Sequence, residues 1–224
     1  MKQLFILCVA VCLSACCCKG SSEVAEQTHT PVVYEAEIVL PAPDLTVGST
    51  IGEALQNRRS WREFNPEKLS MEELSGVLWA AAGINRPEND HLTAPSALAL
   101  YPISLYVFFE EGIYRYEAKG HRLVRVQEGN HMAAAGGQGF VATAALNIVY
   151  VADLSVYAGK PIPTEKVHYL CGQDAAGYAE NVNLYTAATG LRSITRGGAT
   201  PNVLEIIGLE GENYFVALAQ SVGK

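Results

Sequence analysis

Three guanidinium groups and a hydroxyl fall within five residues, Arg58-Arg59-Ser60-Trp61-Arg62, in a chain with only 16 Lys and Arg against 23 Asp and Glu. Arginine presents a rigid fork of donors that suits phosphate, and a neighbouring hydroxyl can complete the cradle. The same residues would also serve as solvated charges at a helix C-terminus, where cations are favoured. Just upstream, Ser49-Thr50-Ile51-Gly52-Glu53-Ala54-Leu55-Gln56-Asn57 reads as a short helix with a Ser/Thr start. The cluster therefore lies where that helix ends and the chain turns outward.

Other constellations are weaker. His168 and Cys171 share a helix face, as a cysteine hydrolase or metal pair would need, yet no glycine-framed nucleophile or third ligand accompanies them. A buried cysteine beside a half-buried histidine is the simpler reading. His121 and His131 show no ligand spacing, and Asp174 and Glu180 read as helix-face carboxylates. Gly136-Gly137-Gln138-Gly139 fits neither a dinucleotide fingerprint nor a Walker loop and reads as a breaker.

The elements that must position these groups follow from pattern. Ser70-Met71-Glu72-Glu73 is a capping box opening a helix with a Leu74, Val77, Leu78 and Ala81 stripe, closed by Gly83. Ile103 to Phe109, Ile113 to Tyr116 and Leu123 to Val126, separated by turns at Glu111-Gly112 and Lys119-Gly120, form a meander. Leu146 to Ala152 is a nearly continuous apolar run and reads as a central strand. Thr164 to about Thr189 reads as a helix whose Gly172 and Gly177 imply close packing against another backbone. Thr200-Pro201 starts a short helix, and Tyr214 to Leu218 is the last strand. Strands and helices alternate irregularly, without a run of βαβ units, which favours an α+β layer.

The chain has 224 residues, 49% hydrophobic and 17% charged, enough for one core. A formal net charge of −7 gives no reason to expect nucleic acid or an anionic membrane surface as a partner. Met1 to Ala15 reads as a targeting segment, with one early lysine and an apolar run from Leu4 to Leu13. Its end, Leu13-Ser14-Ala15-Cys16, resembles a bacterial lipobox. That resemblance implies cleavage before Cys16, acylation there, and a cell-envelope protein lipid-anchored to the membrane outside the cytoplasm. Residues 16–43 then form a lipidated tether, with short extended pieces at Val32 to Tyr34 and Ile38 to Leu40, and the domain proper covers 44–224. Five of the six cysteines lie in the first 18 residues, so the body has neither a disulfide framework nor a cysteine-based zinc site.

From about Ile38 onward the sequence resembles the nitroreductase-like flavoproteins, in the branch related to azoline-peptide (thiazole/oxazole) dehydrogenases. Ile38 to Pro43 looks like that branch's lead-in, and Glu53 to Phe64 is similar to the family's Arg-Arg-Ser-x-Arg-x-Phe signature. Leu69 to Leu74 and Leu78 to Gly83 resemble the helix that follows. Thr93-Ala94-Pro95-Ser96-Ala97 with Tyr101-Pro102 resembles the Ala-Pro-Ser-Ala-Gly-x-x-Tyr-Pro loop, with Leu98 where glycine is usual. Glu180-Asn181-Val182-Asn183-Leu184 and Gly190-Leu191 look like the long helix's Gln-Asn-x-x-Leu…Gly-Leu, with Glu180 in place of glutamine.

The resemblance implies an antiparallel or mixed central sheet flanked by helices, in a homodimer with FMN at the subunit interface. By motif, Arg58 and Ser60 would hold the FMN phosphate with Arg59 in support, and Arg62 would lie near the pyrimidine edge. Pro95, Ser96, Ala97 and Leu98 would reach the ring from the partner subunit. Thr195-Arg196-Gly197-Gly198 matches the turn whose backbone N–H faces flavin N5. The expected activity is hydride transfer between N5 and a small organic or peptide substrate, with the flavin carrying the chemistry. The alternatives are a binding module without redox activity and a plain NAD(P)H-dependent nitroreductase or quinone reductase. A location outside the cytoplasm, and the bulk of Leu98, Leu100 and Tyr101, favour a substrate that gives up hydride over NAD(P)H as donor.

Overall fold

The structure is a computed structural model and describes residues 30–224; the targeting segment, Cys16 and the start of the tether lie outside the described residues. Seven strands form one sheet: β1 (Glu37–Val39), β4 (Ile103–Phe108), β5 (Gly112–Glu117), β6 (Arg122–Glu128), β7 (Leu146–Asp153), β8 (Arg192–Arg196) and β9 (Tyr214–Gly223). Their order across the sheet is β1-β6-β5-β4-β7-β9-β8, and every pairing is antiparallel. A separate small hairpin is made by β2 (Ile84–Arg86) and β3 (His91–Leu92). The helices are α1 (Ile51–Asn57), α2 (Met71–Ala82), α3 (Thr164–Thr189) and the short α4 (Val203–Ile206).

Helix α2 begins as its capping box dictates. Ser70 Oγ accepts from the Glu73 N–H at 3.2 Å, and the Glu73 carboxylate accepts from the Ser70 N–H at 2.7 Å. Leu74, Val77, Leu78 and Ala81 are all fully buried. Helix α1 repeats the device with Thr50 and Glu53. Such caps contribute about 1 kcal/mol each.

The continuous apolar run of β7 is explained by cover on both faces. Leu146, Ile148, Tyr150 and Ala152 join the core beneath α2 and α3. Val149 and Val151 face a second, smaller core built from α4 and the short turns at 132–135 and 139–142. The last strand extends further than its apolar stretch suggests, to Gly223.

Three expectations need correction. Nothing lies within 4 Å of a side-chain carbon built at Gly172, and only the Ala94 Cβ, at 3.9 Å, approaches one at Gly177. Within this chain, then, neither glycine packs closely on a backbone. The helix tolerates them because Val167, Cys171, Ala175, Tyr178 and Val182 bury its other face, and packing outweighs propensity. Helix α4 starts at Val203 rather than at Thr200-Pro201: the Thr200 N–H and hydroxyl both donate to Ala134 O, at 3.0 and 2.9 Å, which ties this residue to the 132–135 turn, and no side chain caps the helix. Val32 to Tyr34 forms no strand; instead Tyr34 packs edge-on against Phe109, ring centroids 5.1 Å apart.

The second extended piece is present as β1, paired with β6, and buries Ile38 and Leu40. No helix among the described residues is long and apolar enough to cross a membrane.

Candidate functional site

Helix α1 ends at Asn57, and Arg58, with ψ 126°, turns the chain out of it. The next residues run beside the sheet edge: Ser60 bridges Ser193 of β8, and the Trp61 N–H donates to Ser193 O at 3.0 Å. The guanidinium groups of Arg59 and Arg192 lie over the Trp61 ring at 5.0 and 4.5 Å, and Arg192 also donates to Glu63 O at 3.0 Å. Arg59 is thus engaged in stacking on Trp61. Arg58 meets Glu180 only at 3.9 Å, with both side chains well exposed, a pair of little energetic weight. Among the described residues the side chains of Ser60 and Arg62 hold no hydrogen bond or ion pair, and both are exposed. Arg62 and the Ser60 hydroxyl are therefore free for an anion, and Arg58 has only a weak pair to give up.

Strand β8 leads from Ser193 to the 195–198 turn. No atom lies within 4 Å of a side-chain carbon built at Gly197 or Gly198, so a flat ring could approach this backbone closely. The donor set and the open turn fit a phosphate-bearing flavin. Helix α3 fixes the strand through Asn183. Its Oδ1 accepts from Ser193 Oγ at 3.0 Å and from Gln220 Nε2 at 2.8 Å, while its Nδ2 donates to Thr195 Oγ1 at 3.2 Å. Tyr150, fully buried, donates to Gln220 Oε1 at 2.6 Å and closes the network.

The Arg196 side chain turns into the second core and is only 6% exposed. It donates to Ala135 O at 2.6 Å and to Asn147 Oδ1 at 3.2 Å; among the described residues its Nε has no acceptor and no carboxylate pairs with it. Burial lowers the guanidinium to about 10, so it remains charged at neutral pH. Only the backbone of Arg196 can face a ligand. A side-chain carbon at Gly136 would lie 2.0 Å from Arg196 Nη1, so the glycine run read as a breaker also makes room for this cation.

The 95–98 loop hangs on a residue read as a helix-face carboxylate. Asp174 is buried and accepts from Ser96 Oγ at 2.6 Å and from the Ala97 N–H at 3.1 Å. Ser96 Oγ in turn accepts from the Tyr101 N–H at 2.9 Å. The signal was available: Asp174 stands three residues after Cys171 and four before Tyr178, on the buried stripe of α3. Leu98, Ala99 and Tyr101 all have left-handed backbones, with φ of 57°, 54° and 48°. Leu98 thus adopts the conformation for which glycine is suited, at about 1–2 kcal/mol per residue. The loop and the 58–62 cluster attach to different faces of α3, one at buried Asp174 and one beside exposed Glu180.

The remaining candidates resolve simply. His168 is exposed, its ring 4.8 Å from that of Phe215, and Cys171 is fully buried with its thiol raised to about 11 by desolvation. A thiol so held is a poor nucleophile. His121 instead joins a buried relay. Ser75 Oγ donates to Pro41 O at 2.6 Å, because a carbonyl can only accept. His121 Nε2 therefore donates to Ser75 Oγ at 2.7 Å, and the Tyr116 hydroxyl donates to Nδ1 at 2.8 Å. The serine proton is committed to Pro41, so this is a structural clasp and not a nucleophile–base pair.

The sequence profile described as the Nitroreductase family matches residues 55–224. A nitroreductase-family protein of Methanocaldococcus jannaschii is 32% identical over 169 residues, covering 69% of this chain and 82% of its own. A nitroreductase-fold crystal structure from Ralstonia eutropha superposes with TM-score 0.79 at 34% identity, covering 87% of this chain and 93% of that one. A Desulfovibrio desulfuricans structure in complex with FMN aligns at TM-score 0.55 and 20% identity, covering 78% and 86%, a likeness of fold. The chain belongs to the nitroreductase family. It is a nitroreductase-family oxidoreductase with the α+β architecture of that fold.

Proposed function

We propose that the protein is an FMN-dependent oxidoreductase of the azoline-peptide dehydrogenase-like branch, anchored through lipid on Cys16 outside the cytoplasm and acting as a homodimer. The observation that carries the flavin reading is the Ser60–Ser193 bridge, which sets the 58–62 donors beside the strand that leads into the open glycine turn. Arg58 and Ser60 would hold the phosphate, Arg62 would lie toward the pyrimidine edge, and the backbone of the 195–198 turn would face N5. The residues at 95–98 would reach the ring of the second copy, held in shape by Asp174. Bound flavin would supply the hydride-accepting atom, so no side-chain nucleophile is needed. The preferred substrate is a small organic molecule or peptide that gives up hydride, with NAD(P)H a poor donor.

The test is an absorbance spectrum of the full chain purified in detergent, followed by FMN titration. A yellow protein that releases its flavin on denaturation supports the reading. A colourless protein with no FMN binding refutes it in favour of a binding module. Anaerobic mixing with NADH or NADPH then separates the remaining alternative: bleaching within seconds would identify a plain nicotinamide-dependent reductase. Equal membrane fractionation of Cys16→Ser and the unaltered protein would remove the lipid anchor from the proposal.

A further inference from the structure

A cleft of about 490 Å³ opens between the β2–β3 hairpin and the 93–101 loop, with Arg86, His91, Pro95, Ser96 and Tyr101 in its walls. That volume is in the range that small ligands occupy. The hairpin register sets Arg86 directly opposite His91, and directly paired residues share a face. The Arg86 guanidinium is fixed by two neutral acceptors, Asn85 Oδ1 at 3.0 Å from Nε and Leu92 O at 2.7 Å from Nη2. No carboxylate pairs with it among the described residues. Arg115, Arg122 and Arg125 differ: each is ion-paired to a glutamate within 3.1 Å. Of the two acidic residues that follow it, Glu88 makes no ion pair with Arg86 among the described residues, and Asp90 is directed to Lys119 at 3.6 Å. In a chain of net charge −7, a guanidinium held in place without a counterion is an uncompensated anion receptor.

The opposite wall is equally fixed. Asp174 clamps Ser96, and the Tyr101 hydroxyl accepts from the Leu92 N–H at 3.4 Å, tying loop to hairpin. The Tyr101 ring stands 5.9 Å from the His91 ring, so aromatic surface borders the cationic end. Three left-handed non-glycine residues hold this wall, and strain of that kind collects at binding sites.

We propose that this cleft is the substrate side of the flavin site, and that Arg86, aided by His91, takes the carboxylate of a small aromatic acid whose ring lies against Tyr101. The proposal rests on the flavin reading, because the 95–98 loop carried to that site forms one wall. Arginine offers two parallel N–H groups to a carboxylate, whereas an amide of the same shape can use only one acceptor oxygen and carries no charge.

The experiment is isothermal titration calorimetry of the full chain in detergent with 4-nitrobenzoate and with 4-nitrobenzamide. The carboxylate is expected to bind roughly tenfold more tightly or better, as a charge-assisted bidentate contact gives. Arg86→Gln should abolish that preference, with the carboxylate's affinity falling well below its former value and the amide's changing much less, and should move the melting temperature little, since Arg86 is exposed. His91→Gln should reduce it. Equal affinities in the unaltered protein, or a preference that survives Arg86→Gln, would overturn the assignment. FMN titration of the same samples separates the two ideas. A carboxylate preference in protein that takes no FMN overturns the placement beside a flavin and leaves the anion site standing. FMN binding without the preference refutes the cleft alone.

Discussion

Gly136→Ala tests whether the buried Arg196 sits where the structure places it. The added carbon would meet Arg196 Nη1 at 2.0 Å and Cζ at 3.1 Å, where 3.4 Å is the start of ordinary contact. The guanidinium would have to retreat by about 1.4 Å. An arginine head can often swing away cheaply, but this one is 6% exposed and bound to Ala135 O and Asn147 Oδ1. A retreat of that size breaks at least one of those bonds, and hydrogen bonds to a charged group contribute about 1.5–3 kcal/mol. Backbone strain adds nothing, because Gly136 has an extended φ of 163°. The expected loss is ~3 kcal/mol including crowding, or a fall in Tm of roughly 6–12 °C for a chain of this size. Urea unfolding of the single variants and the double variant closes the cycle. In the Arg196→Met background, where no guanidinium is met, Gly136→Ala should cost less than ~1 kcal/mol. Equal losses in both backgrounds would refute the reasoning.

Three further outcomes follow from particular residues. Leu98→Gly should raise stability by about 0.5–1 kcal/mol, because it relieves a left-handed backbone at a side chain that is largely exposed; thermal melts showing a loss would contradict that conformation. Burial holds the His121 imidazole below its ordinary value near 6.5, so the fold favours neutral histidine. Stability from the Tyr116–His121–Ser75–Pro41 relay is therefore complete above pH 6.5 and declines as pH falls from there through the folded-state value; His121→Asn should flatten that part of a stability–pH curve, and an unchanged curve would rule the relay out. Arg58→Ala should weaken FMN binding by about tenfold or more through one lost charge-assisted contact, measured by fluorescence titration, while Arg59→Ala should do less because its head is engaged on Trp61.

What the sequence could reveal depended on how local the cause was. The Ser70–Glu73 box and the Leu74, Val77, Leu78, Ala81 stripe are three- and four-residue relations, and the helix is where they require. The run at 146–152 marked a strand covered on both faces for a similar reason. The 58–62 cluster was legible as a donor set because its spacing and composition are local. Its attachment to Ser193 was not, since it joins residues far apart in the chain. Asp174 was misread because a carboxylate on α3 is ordinarily solvated, although its phase on the buried stripe gave it away. The three left-handed residues of the 93–101 loop contradict the preferences of leucine, alanine and tyrosine. The hold of Asp174 on Ser96 and Ala97 and of Ser96 on Tyr101 pins the ends of that stretch, and no propensity encodes those bonds. Arg196 was read for its turn and Gly136 as a breaker, but their packing was not legible for the same reason: each is explained by the other.

The sheet's strand order also bears on when the site is assembled. Strands β4, β5 and β6 are joined by short turns and pair with their chain neighbours, so they can zip early, since short loops close at little entropic cost. Strand β7 finds β9 only after α3, β8 and α4 have intervened, and the Ser60–Ser193 bridge ties together two of the most widely separated parts of the domain. Such long-range closures are slow and fall late in folding. The 58–62 donors and the glycine turn therefore come together among the last native contacts. A cofactor recognised there would select the finished fold and slow its unfolding rather than guide the chain toward it, so holding the protein in its native state is the expected kinetic signature of flavin binding.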